Sequence, residues 1–195
     1  MEGQGTVRVI GIDPGSRSLG YGVVEERRGR LVHVAHGVIR ASPDARLEQR
    51  LQGIFSALLS AIALHHPDAA AVEGVFAFRN PRSALILGQA RGVALLVAAQ
   101  RGLPVHEYAP AKVKRSVGAG GASDKEAVAR MVNGFLRLPQ PPSADATDAL
   151  AVAICHLNHA RFGRVQPQST SARQSATGFA DRLKPAYRRV EARGG

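Results

Sequence analysis

Four acidic residues stand in otherwise apolar stretches of the sequence, where a carboxylate is costly unless it has a partner. Asp13 follows the run VIGI, Glu73 follows AAAV, and Asp145 and Asp148 lie within ADATDALAVAI. Removing such groups from water is unfavourable without compensation, and a divalent cation compensates several of them at once. Oxygen ligands favour Mg²⁺ or Mn²⁺ over zinc. Two such ions suit phosphodiester hydrolysis, because one activates the attacking water and the other stabilises the leaving oxygen.

The elements predicted around these residues would bring them together. Asp13 ends a β-branched strand over residues 7–12, and Glu73 ends a short buried strand over residues 69–72. Functional groups in open α/β sheets gather at strand ends. Asp145 and Asp148 are three residues apart near the start of a helix, so they share one helical face.

Each acid, taken alone, has a simpler interpretation. Asp145 near a helix start can interact with the helix dipole. Asp13 before Pro14 and Gly15 can be ordinary turn chemistry. Glu73 is harder to explain in this way, because the residues that follow it, Gly-Val-Phe, offer no cation. Only the four acids together therefore predict a metal site.

The remaining periodicity predicts an α/β fold with a mixed five-stranded sheet flanked by helices. Strands that pair first and then alternate with helices are typical of this class. The further predicted strands are residues 20–24, 31–39 and 105–108. The predicted helices are residues 44–65, residues 83–100, one opened by Pro110, one capped by Ser123 and running to Leu136, and one capped by Ser143 and running to about residue 159.

The charge distribution favours a nucleic-acid partner. The chain carries a formal net charge of +11, which draws a protein to polyanions. Residues 161–195 hold eight Lys/Arg and two acids, a net charge of +6, which leaves +5 for residues 1–160. We therefore predict a nuclease-like domain over residues 1–160 and a basic, disordered tail over residues 161–195.

Other features of the sequence favour a cytoplasmic protein. Cys155 is the single cysteine, so no internal disulfide forms. The N-terminus has no apolar core typical of a signal peptide. The apolar stretches over residues 85–99 and 149–157 are interrupted by Gly88, Arg91 and His156, and we expect neither to span a membrane.

Four blocks of the sequence resemble one known family. They are GIDPGSRSLGYGVV (11–24), VEGVFAFRNPRSALILGQARGVALL (72–96), VHEYAPAKVKRSVGAGGASDKEAVARMV (105–132) and LPQPPSADATDALAVAICH (138–156). Together they are similar to the RuvC family of Holliday junction resolvases, from about residue 7 to residue 159. GIDPGS alone would be less specific, because RNase H-like proteins and actin-like ATPases use a similar turn.

The resemblance implies an RNase H-like fold and a homodimer that cuts opposite strands of a four-way DNA junction. The family's four catalytic, metal-binding carboxylates fall on Asp13, Glu73, Asp145 and Asp148. Cleavage would leave 5′-phosphate and 3′-hydroxyl ends. The family also implies cooperation with the RuvA and RuvB branch-migration proteins. The helix at residues 83–100 resembles the family's dimer element, although its small residues also suit a core helix.

The resemblance further implies a DNA-binding surface. Phe76 matches an aromatic that inserts between bases, although a core phenylalanine is the alternative, and Lys114 and Lys125 match lysines near the DNA backbone. The predicted DNA-binding set is Phe76, Arg79, Arg82, Lys112, Lys114 and Lys125, with Arg115 as a neighbour. One departure is Gly74, where the family often carries glutamine. This puts a DNA contact or a contact to a metal ligand in doubt, but not the metal site.

Three other functions remain open at the level of sequence. An actin-like or sugar-kinase-like ATPase would need a second phosphate loop, and the sequence has no second copy of the motif. A non-catalytic junction-binding protein would need the basic surface but not the four carboxylates. Another RNase H-like nuclease would share the fold and the metal site, and would differ in substrate.

Overall fold

The chain folds into an α/β structure with a mixed five-stranded sheet. The computed structural model describes residues 6–15, 18–40, 42, 44–74, 81–119 and 125–165. The strands are β1 (Val7–Pro14), β2 (Ser18–Arg27), β3 (Arg30–Arg40), β4 (Ala69–Glu73) and β5 (Val105–Tyr108). The helices are α1 (Leu47–His65), α2 (Pro81–Gln100), α3 (Pro110–Ser116), α4 (Lys125–Leu136) and α5 (Ala144–Val165). The predicted fold class is confirmed.

The sheet has the strand order β3-β2-β1-β4-β5. β1, β2 and β3 pair antiparallel, whereas β4 and β5 run parallel to β1. The two parallel connections pass through helices, as parallel strands require. Asp13 and Glu73 therefore lie at the same edge of the sheet, because each stands at the carboxyl end of its strand.

Alternation along β1 divides the core into two layers. Ile10 and Ile12 pack with α1 and α2 on one face of the sheet. Val9 packs on the other face with α4 and α5. Side chains two residues apart share a face of a strand, so Asp13 points toward the α5 side. The same alternation along β4 places Ala69, Ala71 and Glu73 on that side.

The structure corrects two predicted helix boundaries. The helix predicted from Asp44 begins at Leu47, because the backbone of Arg46 is extended. The Arg46 N–H donates a hydrogen bond to the Gln49 side-chain oxygen at 3.2 Å. The last helix extends to Val165 instead of ending near residue 159. Ser123, predicted as a helix cap, lies outside the described residues.

Contacts along the backbone divide the chain into two units, Met1–Gly163 and Arg164–Gly195. The second unit lies almost entirely outside the described residues. The predicted division into residues 1–160 and a disordered tail therefore stays a prediction.

Helix α2 presents more apolar surface than the sequence suggested. Its stretch Ser83–Gln100 is long enough to cross a membrane, with a mean hydropathy of 1.3, and only 22% of it is buried. Our expectation that the interruptions at Gly88 and Arg91 exclude such a span by composition was therefore wrong. One apolar helix is weak evidence for a membrane, and Arg91 is ion-paired with Glu107 at 2.5 Å.

Helix α5 rests directly on β1 and β2 at three glycines, Gly11, Gly20 and Gly22, which we call the glycine seam. A Cβ atom at Gly11 would lie 2.0 Å from the Ala149 carbonyl oxygen. At Gly20 it would lie 2.0 Å from the Asp145 carbonyl oxygen. No side chain fits between sheet and helix here, so the seam fixes the height of α5 above the strands.

Replacing Gly11 with alanine should destabilise the protein by about 3 kcal/mol or more, because the contacting atoms belong to the backbone of α5 and cannot rotate away. Gly53→Ala is the matched control. Gly53 lies within α1 with nothing within 4 Å of an added Cβ, so alanine there should stabilise by up to ~1 kcal/mol. Chemical denaturation of both variants measures the difference, and equal stabilities would contradict the close packing.

Candidate metal centre

Asp13 and Glu73 are neighbours on adjacent parallel strands. Ile12 pairs with Val72 in the register between β1 and β4, and the two acids are the next residues along. Glu73 is in turn paired with Tyr108 on β5. The Gly74 N–H donates to the Tyr108 carbonyl at 2.8 Å, which extends the ladder past Glu73. Backbone pairing on both sides therefore holds the end of β4 in place.

Helix α5 brings the other two acids over this edge. Asp145 lies in its first turn, above Gly20, and Gly20 is the register partner of Asp13. Asp148 follows one turn later and is half-buried. Both α5 carboxylates are close enough to Asp13 to act on it electrostatically. The four predicted acids are thus brought together from β1, β4 and α5.

Burial and like charge raise the pKa values of three acids in this cluster, Asp13, Glu73 and Asp148. Burial, and then the neighbouring charge of Glu73, raise the pKa of Asp13 to about 8. A hydrogen bond joins the Asp13 and Glu73 carboxyl groups, and burial raises the pKa of Glu73 as well. Burial also raises the pKa of Asp148. A raised pKa means that the surroundings described for these carboxylates stabilise their charged form less well than water does.

Elsewhere in the protein, the buried carboxylate of Glu25 has its negative charge compensated by arginine side chains. Glu25 is 1% exposed. Its two oxygens contact Arg8 and Arg27, each at 2.6 Å. The hydrogen bond from Arg8 is the main cause that lowers the Glu25 pKa. Among the described residues, no arginine lowers the pKa of Asp13 in this way, and a hard divalent cation would supply the missing positive charge.

Two of the predicted DNA-binding lysines lie at the cluster. The Lys125 ammonium is 4.0 Å from Asp148 Oδ2, and its side chain is 83% exposed. Lys114 also acts on Glu73 and Asp148, lowering the pKa of each. Lys112 lies elsewhere, with its ammonium 5.2 Å from the centre of the Tyr108 ring. Phe76 and Arg79 lie outside the described residues, and only the backbone of Arg82 is described.

In this conformation the carboxylates do not form a complete ligand set for a metal ion. Within the described residues, no three His, Cys, Asp or Glu side chains converge closely enough to hold a metal ion. Asp145 Oδ2 accepts a hydrogen bond from the Ser18 hydroxyl at 2.5 Å. Asp148 Oδ2 lies toward Lys125. Donor chemistry, charge and burial fit a divalent cation, and the side chains of Asp13, Glu73 and Asp148 would turn toward it.

Sequence reasoning missed Ser18 and the glycine seam. Both act between segments more than 100 residues apart, since Ser18 and Asp145 are separated by 127 positions. The alternating glycines at 20 and 22 were the available signal, because two glycines on one face of a strand indicate a close approach of other backbone.

Solved structures define the class of the fold. An RuvC structure from Thermus thermophilus in complex with a Holliday junction substrate has a TM-score of 0.76 at 36% identity, covering 80% of this chain and 96% of that one. The yeast mitochondrial Holliday junction resolvase has a TM-score of 0.60 at 12% identity, covering 81% and 82%, which supports the fold alone. The chain is therefore an α/β protein with the RNase H-like fold, as the resemblance implied.

Sequence comparisons identify the family within that class. The family model described as crossover junction endodeoxyribonuclease RuvC matches residues 9–156. A protein of that name from Myxococcus xanthus is 62% identical over 192 residues, covering 96% of this chain and all of the relative. Another from Pelobacter propionicus is 45% identical over 170 residues, covering 87% and 97%. The chain belongs to the RuvC family.

The raised pKa of Asp13 predicts a pH-dependent cost to folding when metal is removed by a chelator. An unfolded chain ionises Asp13 near 3.8, whereas the folded chain does so near 8. The unfolded state therefore binds fewer protons between these values, and stability falls as pH rises from about 4 to about 8. Asp13→Asn should stabilise the protein by about 1–3 kcal/mol at pH 8, and by much less near pH 5.

Thermal unfolding at the two pH values measures this effect. Asp44→Asn is the control, because Asp44 is exposed ahead of α1. A variant Asp13→Asn that is no more stable than Asp44→Asn at pH 8 would show that Asp13 is not electrostatically strained.

Proposed function

We propose that this protein is a metal-dependent Holliday junction resolvase that makes paired cuts in DNA recombination and repair. The observation that carries the proposal is the cluster of Asp13, Glu73, Asp145 and Asp148 in a chain of the RuvC family. Burial raises the pKa of three of these acids, Asp13, Glu73 and Asp148. A cluster of uncompensated carboxylates is costly to folding, which is typical of a site arranged for function rather than stability.

The same four residues would hold two Mg²⁺ or Mn²⁺ ions. Such ions, when bound, activate water and stabilise the leaving oxygen of a phosphodiester. The residues of the chain do the positioning: β1 and β4 fix Asp13 and Glu73 side by side, and α5 presents Asp145 and Asp148 above them. The products would carry 5′-phosphate and 3′-hydroxyl ends.

The surface next to the carboxylates suits the DNA backbone. Lys114 and Lys125 are exposed and lie beside the acids, so a bound phosphate would meet positive charge at the edge of the metal site. Lys112 would extend this surface if it leaves the Tyr108 ring. We propose Phe76, Arg79 and Arg82 as further DNA contacts, with Phe76 inserted at the crossover. The basic residues 161–195 would add non-specific affinity.

A homodimer would bring two such sites to one junction. Helix α2 is the candidate interface, because Leu85 and Leu96 are 65% and 56% exposed on it while Ala90 and Ala94 are buried against the sheet. Exposed apolar surface of this kind marks an interaction site. Two copies related by symmetry would cut opposite strands. We further propose action in the cytoplasm together with RuvA and RuvB.

A labelled four-way junction with a mobile core tests the proposal, beside a linear duplex and an RNA–DNA hybrid, with Mg²⁺, Mn²⁺ or chelator. Paired symmetric nicks should appear only on the junction and only with metal. Asp13→Asn, Glu73→Gln, Asp145→Asn and Asp148→Asn should each lower cleavage by about 10³-fold or more while junction binding remains. Asp44→Asn, exposed and distant in sequence from the cluster, should cleave normally.

Each other outcome selects a different function. Normal cleavage by Asp145→Asn would overturn the assignment of the site. Junction binding without cleavage under either metal would indicate a non-catalytic junction-binding protein. Cleavage of the hybrid in place of the junction would indicate another RNase H-like nuclease.

A further inference from the structure

Asp145 receives a direct hydrogen bond from Ser18, the first residue of β2. The Ser18 hydroxyl donates to Asp145 Oδ2 at 2.5 Å, and the contact is partly buried. A hydroxyl bonded to a carboxylate at this distance is a short, charge-assisted hydrogen bond. It links the first turn of α5 to the edge of the sheet beside Asp13.

A second contact from the same strand holds the backbone of Asp145. Gly20 follows Ser18 by two positions, so both face the α5 side of β2. A Cβ at Gly20 would lie 2.0 Å from the Asp145 carbonyl oxygen and 2.6 Å from its carbonyl carbon. β2 therefore contacts Asp145 twice, with Gly20 at the main chain and Ser18 at the carboxylate.

The other three acids are oriented by different means. Strand pairing fixes Asp13 and Glu73. The Lys125 ammonium lies 4.0 Å from Asp148 Oδ2, and the Lys125 side chain is 83% exposed. Asp145 stands at the start of α5 just after an exposed segment, where a helical carboxylate has several rotamers available. Ser18 removes that freedom.

We propose that Ser18 is a positioning residue that orients the Asp145 carboxylate for metal binding, occupying Oδ2 and leaving Oδ1 for the ion. This inference rests on the proposed function, in which Asp145 is a ligand. Groups that hydrogen-bond a metal ligand change metal affinity by about 10–100-fold when they are removed. Ser18 would act through its bond to Asp145, so its effect should appear in metal affinity and not in the maximal rate.

The test is Mn²⁺ binding to the free protein, without DNA, followed by water-proton relaxation. Ser18→Ala should raise the Mn²⁺ dissociation constant about tenfold, with its unfolding midpoint close to that of the control. Ser18→Thr keeps the hydroxyl and should restore affinity. Ser60→Ala is the matched control, since Ser60 is exposed on α1 and bonds only to the Ser56 carbonyl among the contacts described.

A double variant separates positioning from general structural damage. If Ser18 acts through Asp145, adding Ser18→Ala to Asp145→Asn should weaken Mn²⁺ binding no further. In junction cleavage, Ser18→Ala should need about tenfold more metal for half-maximal rate, with a rate at saturating metal within about threefold of wild type, since that change amounts to less than ~1 kcal/mol in barrier.

Two results would overturn the proposal. One is a Ser18→Ala variant that binds Mn²⁺ as Ser60→Ala does. The other is a parallel loss of metal affinity and stability that Ser18→Thr does not restore. If the Mn²⁺ results hold but the wild-type protein cuts no junction, the role of Ser18 stands and the proposed function fails.

Discussion

The direct contact between α5 and the β1–β2 pair is the constraint on which the rest of the structure depends. Three glycines leave no side chain between helix and sheet, so main-chain atoms of α5 meet main-chain positions of the strands. This places Asp145 and Asp148 above the sheet edge where Asp13 and Glu73 end their strands. A bulkier residue at the seam would lift α5 and separate Asp145 and Asp148 from the ends of β1 and β4.

The carboxylate cluster and the Glu25 network show two ways in which one protein treats buried negative charge. At Glu25, paired arginines lower the pKa and lock the carboxylate in place. At Asp13, burial and then the neighbouring acids raise the pKa to about 8. The first arrangement compensates the buried charge within the fold, whereas the second leaves buried, mutually repelling carboxylates whose charge a divalent cation would compensate. The lysines at its edge moderate this repulsion without removing it.

The sequence predicted the elements well because the two layers of the core follow simple periodicities. Alternation in β1 and the spacing of Ile54, Leu58 and Ile62 in α1 are local signals, and the structure agrees with them. The placement of the four acids at strand and helix ends could also be predicted from the local sequence. The Ser18–Asp145 bond and the glycine seam were missed because they join distant segments through space. The start of α1 was misplaced because a cap depends on backbone angles at Arg46, which side-chain pattern does not specify.

The most direct test is anomalous scattering from Mn²⁺ in crystals of the protein bound to a four-way junction with a non-hydrolysable scissile bond. We expect ion density between the strand ends and α5, within about 2.0–2.5 Å of oxygens from Asp13, Glu73 and the α5 acids. Well-ordered DNA at the site, with Mn²⁺ found only where these four residues do not touch it, would contradict the central claim.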